Sequence, residues 1–390
     1  MEETKINGAA PYLPEEVITN ILMRLPVKPL MRFRCVCKNW ENLYKTPFFI
    51  AAHLRHSQQN PFLMFSHDYL CNDLPLRLLD CDMQLRDVQK APLFHSLLSY
   101  FIGSCNGLLC FITMRYCNFP SSFLLWNPAT RHSIEVPVSR TINYHVHHME
   151  IGFGFSTLVN DYKILVIYAL YSDRMVCGVD VYSLNKGSWK EIAVGNLFDI
   201  SFVSPAVSCN GAIFTSGLKL GKKVIVSFDI ATEVFTFIPW PPLLDHPTFS
   251  KFTVYDGKFA LLTTNLIGTP SKVDLWVIEE DMSSSEDRWN WIKKFTSDPY
   301  PCEFIPWTIW RNKVVVSRTE IGGEIRKNKE CLCLFNITTN EFKILDIHGN
   351  SLQNFVNYTE SLVPVVNATS NEFKSLIIPQ HSIGDIAKAF

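Results

Sequence analysis

The side chains best suited to chemistry in this sequence are three clustered histidines, His145, His147 and His148. Alternate residues of a strand face the same way, and imidazole is a common metal ligand, so this spacing could serve a metal site. Glu150 is the one acidic residue close by, and a polar segment rich in histidine is more typical of a solvated surface loop. We therefore predict no bound metal and no cofactor.

Two cysteine pairs, Cys35 with Cys37 and Cys331 with Cys333, are the next candidates for metal ligands. Each pair has one intervening residue, whereas zinc knuckles normally have two or more, and each pair lies in an apolar stretch. The twelve cysteines have no regular spacing, and most lie in apolar runs where a reduced cysteine acts as a small hydrophobic residue. We predict core positions for both pairs and no disulfides.

The motifs of the common enzyme classes do not occur in the sequence. Gly152-Phe153-Gly154 lacks the third glycine and the following helix of a dinucleotide site. A phosphate-binding loop, a Gly-x-Ser-x-Gly elbow and a His-Glu-x-x-His motif are also missing. The sequence therefore predicts no catalytic residue and a protein that is not an enzyme.

The composition is that of a folded protein without a strong electric field. Of the 390 residues, 47% are hydrophobic and 13% aromatic, which is enough to bury a large core and excludes wholesale disorder. The 36 Lys and Arg residues nearly balance 37 Asp and Glu residues, for a net charge of −1. Such a balance gives no global attraction to nucleic acid or to a membrane surface.

The sequence contains no clear targeting signal. The polar N-terminus has no apolar run after it, which is the opposite of a secretory signal, so we expect a cytoplasmic or nuclear protein whose Asn336, Asn357 and Asn367 triplets carry no glycans. The closest approach to a membrane span is the charge-free segment 96–114. The turn sequence 104–107 at its centre favours a hairpin of two short strands instead.

We call the segment from Leu13 to His56 the hook, because its pattern is that of short helices. Pro14 suits a first helical position, and the two glutamates after it favour the helix dipole. The apolar face of this first helix consists of Val17, Ile18, Ile21, Leu22 and Leu25. Pro29 can open a second helix, whose apolar stripe consists of Leu30, Phe33, Val36, Trp40 and Leu43.

A third helix is expected near Pro47. Three short helices in about 44 residues bury too little surface to form a core alone, so the apolar surface left over predicts a protein partner.

The residues from Leu13-Pro14 to Lys28, followed by those from Leu30 to Trp40, closely resemble an F-box motif. The resemblance implies a trihelical unit that binds a Skp-type adaptor, which connects it to the cullin and RING subunits of a ubiquitin ligase. The adaptor-binding residues that it implies are Leu13, Pro14, Ile18, Ile21, Leu22, Leu25, Pro26, Val27, Leu30, Val36 and Trp40. Contact with the adaptor and packing among the helices cannot be separated from these residues alone. The expected interface residues are Leu13, Pro14, Leu25, Pro26 and Val27, whereas Trp40 is expected to pack internally.

Two other interpretations of the hook are possible. It could be an ordinary helical cap on the larger domain, although a cap needs no pair of Leu-Pro dipeptides twelve residues apart. Its seven basic and three acidic residues give a local charge of +4, which could attract nucleic acid. The arginines alternate with the apolar stripe and form no basic helix face, so we predict no nucleic-acid partner.

From Phe62 onward the sequence has the pattern of short strands. Its β-branched runs are bounded by Asn-Gly, Asp-Gly and Pro signals. A strand-turn-strand motif recurs in the sequence. Its aromatic anchors are 56, 46, 48 and 59 residues apart, at Trp126, Tyr182, Phe228, Trp276 and Phe335. This spacing is close to the roughly 50 residues of a kelch-type propeller blade. The 304 residues from Phe62 to Val365 therefore predict about six blades.

Several short motifs of this region resemble those of the F-box-associated region of a large plant family. They include Ser104 to Leu108, Trp126 to Thr130, Gly152 to Phe155 and Tyr358 to Leu362. That family includes defence-repressing receptors and pollen proteins of the S-locus type. One departure is that kelch blades carry a Gly-Gly pair, whereas here only Gly322-Gly323 occurs.

We expect an α+β multidomain protein, with a short three-helix F-box followed by an all-β, propeller-like domain. The expected divisions are a tail (1–12), the F-box (13–56), a linker (57–61), the propeller (62–365) and a C-terminal tail (366–390). The predicted function is that of the substrate-recognition subunit of a Skp-cullin-F-box ligase.

The runner-up function is a stand-alone propeller that works without a ligase, as a lectin-like binding module or an enzyme. The target is not identified by any motif. Two polar loops, Ser139 to Glu150 and Met282 to Arg288, are its candidate contacts, and the charge of about −5 outside the hook mildly favours a basic protein.

Overall fold

The computed structural model describes residues 13–66, 76–88, 98–115, 119–142, 146–170, 176–241, 248–265, 270–280, 289–320, 329–349 and 352–365. The chain begins with short helices and continues as antiparallel strands to residue 358. None of the described helices is long and apolar enough to cross a membrane.

The hook contains four helices, α1 (Glu15–Met23), α2 (Val27–Phe33), α3 (Lys38–Leu43) and α4 (Pro47–Gln58). The single second helix expected from Pro29 is two helices, and the first of them begins earlier, at Val27. The break occurs because Cys37 has an extended backbone with φ −159° and caps α3. Pro14 and Pro26 cap α1 and α2 with φ near −55°, so each Leu-Pro pair marks a helix start.

The ends of the hook also differ in detail from the expectation. Thr46 caps α4, because its hydroxyl accepts a hydrogen bond from the Phe49 N–H at 3.3 Å. Residues 57 and 58, expected in a linker, form the last turn of α4. Cys35 and Cys37 are exposed, which corrects their expected core position: the connection between α2 and α3 runs over the surface.

The described residues after the hook form 24 strands in six antiparallel sheets of four, which confirms the predicted six blades. Blade 1 contains β4 (Leu98–Cys105), β5 (Leu108–Arg115), β6 (Phe119–Asn127) and β7 (His132–Pro137); blade 2 contains β8 (Val146–Ser156), β9 (Asp161–Leu170), β10 (Val176–Ser183) and β11 (Ser188–Ile192); blade 3 contains β12 (Ile200–Cys209), β13 (Ala212–Lys219), β14 (Lys222–Asp229) and β15 (Phe235–Pro239).

Blade 4 contains β16 (Thr248–Tyr255), β17 (Lys258–Asn265), β18 (Val273–Glu280) and β19 (Trp289–Thr296); blade 5 contains β20 (Phe304–Trp310), β21 (Lys313–Glu320), β22 (Lys329–Asn336) and β23 (Phe342–Gly349); blade 6 contains β24 (Gln353–Tyr358), β1 (Phe62–Ser66), β2 (Arg77–Leu79) and β3 (Leu85–Asp87).

Blade 6 closes the ring by joining the two ends of the propeller. Its innermost strand β24 comes from the C-terminal end and pairs with β1, with Phe62 opposite Tyr358 and Leu63 opposite Asn357. The innermost strands β4, β8, β12, β16, β20 and β24 neighbour one another in that order and return to β4. Closure therefore rests on the hydrogen bonds between β24 and β1.

The repeated strand-turn-strand motif has the same position in every blade in which the sequence contains it. All five aromatic anchors lie on the third strand and are buried. The polar residue after an anchor caps the following turn: Asn127 Oδ1 accepts from the Ala129 N–H at 3.0 Å, and Asn336 Oδ1 accepts from the Thr338 N–H at 2.9 Å. Such side-chain caps are a standard way to stabilise a tight turn.

Blade 6 carries a sixth copy that the sequence pattern missed. Leu79 is buried at the anchor position, and Asp80 Oδ1 accepts hydrogen bonds from the N–H groups of Asp82 at 3.0 Å and Gln84 at 2.8 Å. The copy was missed because leucine replaces the aromatic anchor. The predicted hairpin in 104–107 is confirmed, with Asn106 and Gly107 at φ 52° and 81°.

Candidate functional site

The outer side of the hook presents a stripe of exposed apolar side chains. Leu13, Val17 and Ile21 are all exposed and follow one another at four-residue spacing, so they lie on one face of α1 and its entry. Phe48, at the start of α4, and Val36, between α2 and α3, are also exposed. Exposed apolar residues in such a row mark a surface that another protein can cover.

The inner side of the hook is a packed core. Leu22, Val27 and Leu30 are buried, together with Tyr44, Phe49 and Ile50. Of the eleven residues implied as adaptor contacts, Leu22, Val27 and Leu30 therefore hold the helices together. Ile18, Leu25 and Trp40 are half-buried, and Leu13, Pro14, Ile21, Pro26 and Val36 are exposed.

Val17 is an exposed member of the stripe that the implied set omits. Its signal in the sequence is its spacing of four residues from both Leu13 and Ile21. The structure thus divides the single apolar face predicted for α1 into two. Leu13, Val17 and Ile21 point outward, and Ile18, Leu22 and Leu25 pack inward.

The hook is fixed to the propeller by an apolar cluster and by hydrogen bonds. Leu22, Val27 and Leu30 belong to the same buried cluster as Leu362 and Val363, which follow β24. The Glu360 carboxylate accepts a hydrogen bond from the Val27 N–H at 3.3 Å, and burial raises the pKa of Glu360. These contacts position α1 and α2 relative to the ring.

Two further contacts tie the end of the hook to blade 5. The Trp310 indole N–H donates to the carbonyl of Pro61 at 2.8 Å, and Arg311 Nη2 donates to Asn60 Oδ1 at 3.2 Å. The residues expected to form a linker are therefore anchored where they leave the hook.

The hook lies on one of the two faces of the ring, which we call the hook face. Strands alternate in direction within a blade, so first-to-second and third-to-fourth connections share a face, and all other connections lie on the opposite face. Gln58 at the end of the hook contacts Asn106, which is in a first-to-second turn. The predicted loop 139–150 contains the connection from β7 to β8, whose flanking strand ends lie on the opposite face, although its residues 146–150 belong to β8.

The second predicted loop, 282–288, lies outside the described residues. It joins β18 to β19, whose connected ends lie on the hook face. Within 139–150, His148 is exposed on β8, while His145 and the side chain of His147 lie outside the described residues. Glu150, expected in a solvated loop, is instead buried on the same strand.

A buried carboxyl, Glu150 on β8, and a largely desolvated amine, Lys251 on β16, lie on the innermost strands. Burial raises the pKa of the Glu150 carboxyl to about 8, although Thr215, the Ala206 N–H and the positive charge of Lys251 oppose the rise. Burial lowers the pKa of Lys251 on β16, whose ammonium lies 5.4 Å from the Trp307 ring centre. No local pattern in the sequence predicts this interaction, because its members are 101 residues apart.

The described residues assemble no metal site. They contain no group of three His, Cys, Asp or Glu side chains that could hold a metal ion. Cys331 and Cys333 are buried as predicted, with their sulfurs 3.7 Å apart. Burial raises the pKa of Cys105 to about 12 and also raises that of Cys333, so these thiols stay protonated and unreactive.

Family comparisons match both parts of the chain. The family model described as an F-box domain matches residues 11–48, and the model described as an F-box associated beta propeller domain matches residues 53–372. The two matches together extend over most of the chain.

Individual relatives agree with these matches. A candidate F-box protein of Arabidopsis thaliana is 29% identical over 296 residues, covering 70% of this chain and 75% of the relative. A second F-box protein of Arabidopsis thaliana is 24% identical over 384 residues, covering 86% of this chain and 87% of the relative. Among solved structures, TolB from Acinetobacter baumannii is similar with a TM-score of 0.44 and 12% identity, covering 78% of this chain and 71% of TolB.

Proposed function

Because the chain belongs to the F-box proteins that carry an F-box-associated β-propeller domain, we propose that it is the target-recognition subunit of a Skp-cullin-F-box ubiquitin ligase. In this role the hook binds a Skp-type adaptor, and the adaptor connects the chain to cullin and RING subunits. The propeller binds a target protein, which the ligase then ubiquitinates. The chain itself supplies no catalytic residue.

The observation that supports adaptor binding is the exposed stripe of Leu13, Val17 and Ile21. It lies on the side of α1 away from the cluster shared with the propeller, so a partner can cover it without disturbing the hook core. Pro14 and Pro26 are exposed beside the helix starts and extend the apolar surface. An apolar row of this kind is the form in which helices present themselves to a partner.

The placement of the hook favours target binding on the opposite face of the ring. An adaptor on the stripe occupies space beyond the hook face, whereas the connections between successive blades stay accessible. Loops carried on a rigid scaffold commonly supply binding residues. The propeller would then act as a spacer that presents the target on one face while the ligase is held on the other.

The decisive experiment compares substitutions at two equally exposed isoleucines, one on the stripe and one far from it. Ile21 is 48% exposed on the stripe, and Ile344 is 47% exposed on the outer strand of blade 5. We expect Ile21→Asp to weaken binding to a purified plant Skp-type adaptor at least about tenfold, because burying isoleucine contributes roughly 1.5–3 kcal/mol. Ile344→Asp should leave the affinity unchanged in the same calorimetric titration.

Leu22→Ala separates packing from contact. Leu22 is buried next to Ile21, so its truncation should cost about 2–5 kcal/mol of stability and lower the melting temperature, which Ile21→Asp should not do. If Ile21→Asp binds the adaptor as tightly as the unchanged chain, the proposed adaptor surface is wrong.

A further inference from the structure

The hairpin between β13 and β14 has a leucine at its tip. Leu220 is 86% exposed, more than any other large hydrophobic side chain of the described residues, and its backbone is left-handed with φ 49°. Gly221, the other turn residue, has φ 77°. The hairpin is a second-to-third strand connection of blade 3, so it lies on the face opposite the hook.

The turn geometry alone would favour a different residue. Both positions of such a two-residue turn have positive φ, which Asn, Asp and Gly tolerate better than leucine. The turns at 106–107, 210–211 and 256–257 have the same geometry and begin with Asn106, Asn210 and Asp256. Leu220 therefore costs free energy both through its backbone and through its exposure to water, and the fold gains no packing from it.

Leu220 is part of a small apolar patch. Leu218 on the same hairpin is exposed, and so is Phe198, which precedes β12. The segment containing Phe198 is tied to the hairpin, because Lys219 Nζ donates to the Asn196 carbonyl at 3.4 Å and pairs with Asp199 at 3.4 Å. We call Phe198, Leu218 and Leu220 the blade 3 patch.

The patch has a basic border. The tip of the hairpin, residues 217–224, carries Lys219, Lys222 and Lys223 and no acidic residue. Lys219 is paired with Asp199, whereas Lys222 is exposed to solvent and Lys223 holds its ammonium 5.1 Å from the Trp240 ring centre. Lys222 and Lys223, which follow the turn residues, thus place positive charge beside Leu220, whereas the charge of Lys219 is balanced by Asp199.

We propose that the blade 3 patch binds an acidic segment of the target protein that also carries large apolar side chains. The apolar residues of the segment would cover Leu220 and its neighbours, and its carboxylates would face Lys222 and Lys223. Complementary charge of this kind steers association and selects the partner. The inference rests on the proposed function for the arrival of a target at this face, and it reverses the mild preference for a basic partner that net charge suggests.

The test uses the full-length chain bound to its Skp-type adaptor and a phage-displayed library of random peptides of about twelve residues. We expect selected peptides to be enriched in Asp and Glu together with Leu, Ile or Phe. Their binding should fall at least about tenfold for Leu220→Asn and for the double variant Lys222→Glu/Lys223→Glu. Leu220→Asn should keep or raise the melting temperature, since asparagine suits the left-handed turn.

Leu158→Asn is the matched control, because Leu158 is 72% exposed in the β8–β9 turn on the hook face. It should leave peptide binding unchanged. Selection of basic or purely polar peptides, or equal binding by Leu220→Asn, would overturn the proposal, and so would binding to vesicles containing about one fifth phosphatidylserine in place of peptides. Adaptor affinity, measured for each variant, separates failure of the patch from failure of the proposed function.

Discussion

At the scale of single residues, Glu150 is buried although it follows a polar, histidine-rich segment of the sequence. Its carboxyl is buried on β8, one of its oxygens has no hydrogen-bond partner, and its pKa is raised to about 8 by desolvation. Lys251 provides a compensating positive charge, although burial lowers the pKa of that lysine too. Near neutral pH the carboxyl therefore holds its proton in the folded state and loses it in the unfolded state.

This difference predicts how stability depends on pH. Because the folded pKa lies above the unfolded value near 4.5, the folded state binds more protons between the two values, and stability falls as pH rises through that window. Glu150→Gln removes the titration. At about pH 5 we expect the variant and the unchanged chain to have the same melting temperature. At about pH 9 the variant should melt several degrees higher.

Thermal unfolding at both pH values checks this prediction. A Glu150→Gln variant less stable than the unchanged chain at high pH would show that Lys251 stabilises the carboxylate more than burial penalises it.

At the scale of elements, the C-terminal strand and the residues after it have two structural roles. β24 completes blade 6, and the following segment 359–365 packs under the hook. Asn127 fixes that segment to blade 1, because its Nδ2 donates to the carbonyls of Ser361 at 3.0 Å and Val363 at 2.8 Å. One stretch of chain therefore joins ring closure to the placement of the hook.

Truncation separates this stretch from the tail after it. Removing residues 350–390 leaves β1 without its inner partner, so we expect a large drop in melting temperature and rapid proteolysis. Removing only residues 366–390 keeps β24 and all of 359–365 and should change the melting temperature little. Equal melting of the two truncated chains would contradict closure through β24.

Glu360 provides a finer test of the same element. Glu360→Ala removes the acceptor for the Val27 N–H and should cost about 1 kcal/mol, while Glu360→Gln keeps a carbonyl acceptor and should cost less. Hydrogen exchange at the Val27 amide reports the change, which should be faster in the alanine variant. Exchange at Phe49, capped by Thr46, should stay constant in both.

At the scale of the whole molecule, the hook and the propeller share one apolar cluster. Leu22, Val27 and Phe49 of the hook are buried with Leu108 and Leu362 of the propeller. A protein whose two parts share a core is expected to lose stability when either part is removed. The propeller is thus not an independent module joined to the hook by a loose linker.

Deletion of residues 1–61 should therefore do more than remove adaptor binding. We expect the remaining chain to melt at a lower temperature and to bind a hydrophobic dye, because the deletion exposes Leu362 and Val363. Ile21→Asp removes the adaptor surface without this damage and is the better variant for target capture. An unchanged melting temperature after the deletion would show that the shared cluster contributes little.

The elements themselves could be predicted because their signals are local. The Leu-Pro pairs mark the starts of α1 and α2, and the spacing of the recurring anchors, set against the length of the β region, predicted six blades. The second expected helix was not predicted as two, since nothing in the apolar stripe signals the extended Cys37. The copy at Leu79 was missed because a leucine carries no aromatic signal.

What only the tertiary structure decided is which side of each element meets which neighbour. Ile21 and Leu22 are adjacent, apolar and alike in the sequence, yet one is exposed and the other is in the hook core. Glu150 interacts electrostatically with Lys251, and Glu360 accepts a hydrogen bond from Val27, across separations that no local pattern spans. The sequence by itself determined the helical character of the hook, the number of blades and the family, because propensity, turn chemistry and periodicity act between neighbours along the chain. Burial and pairing were decided by closure of the ring, because only that step brings distant strands together.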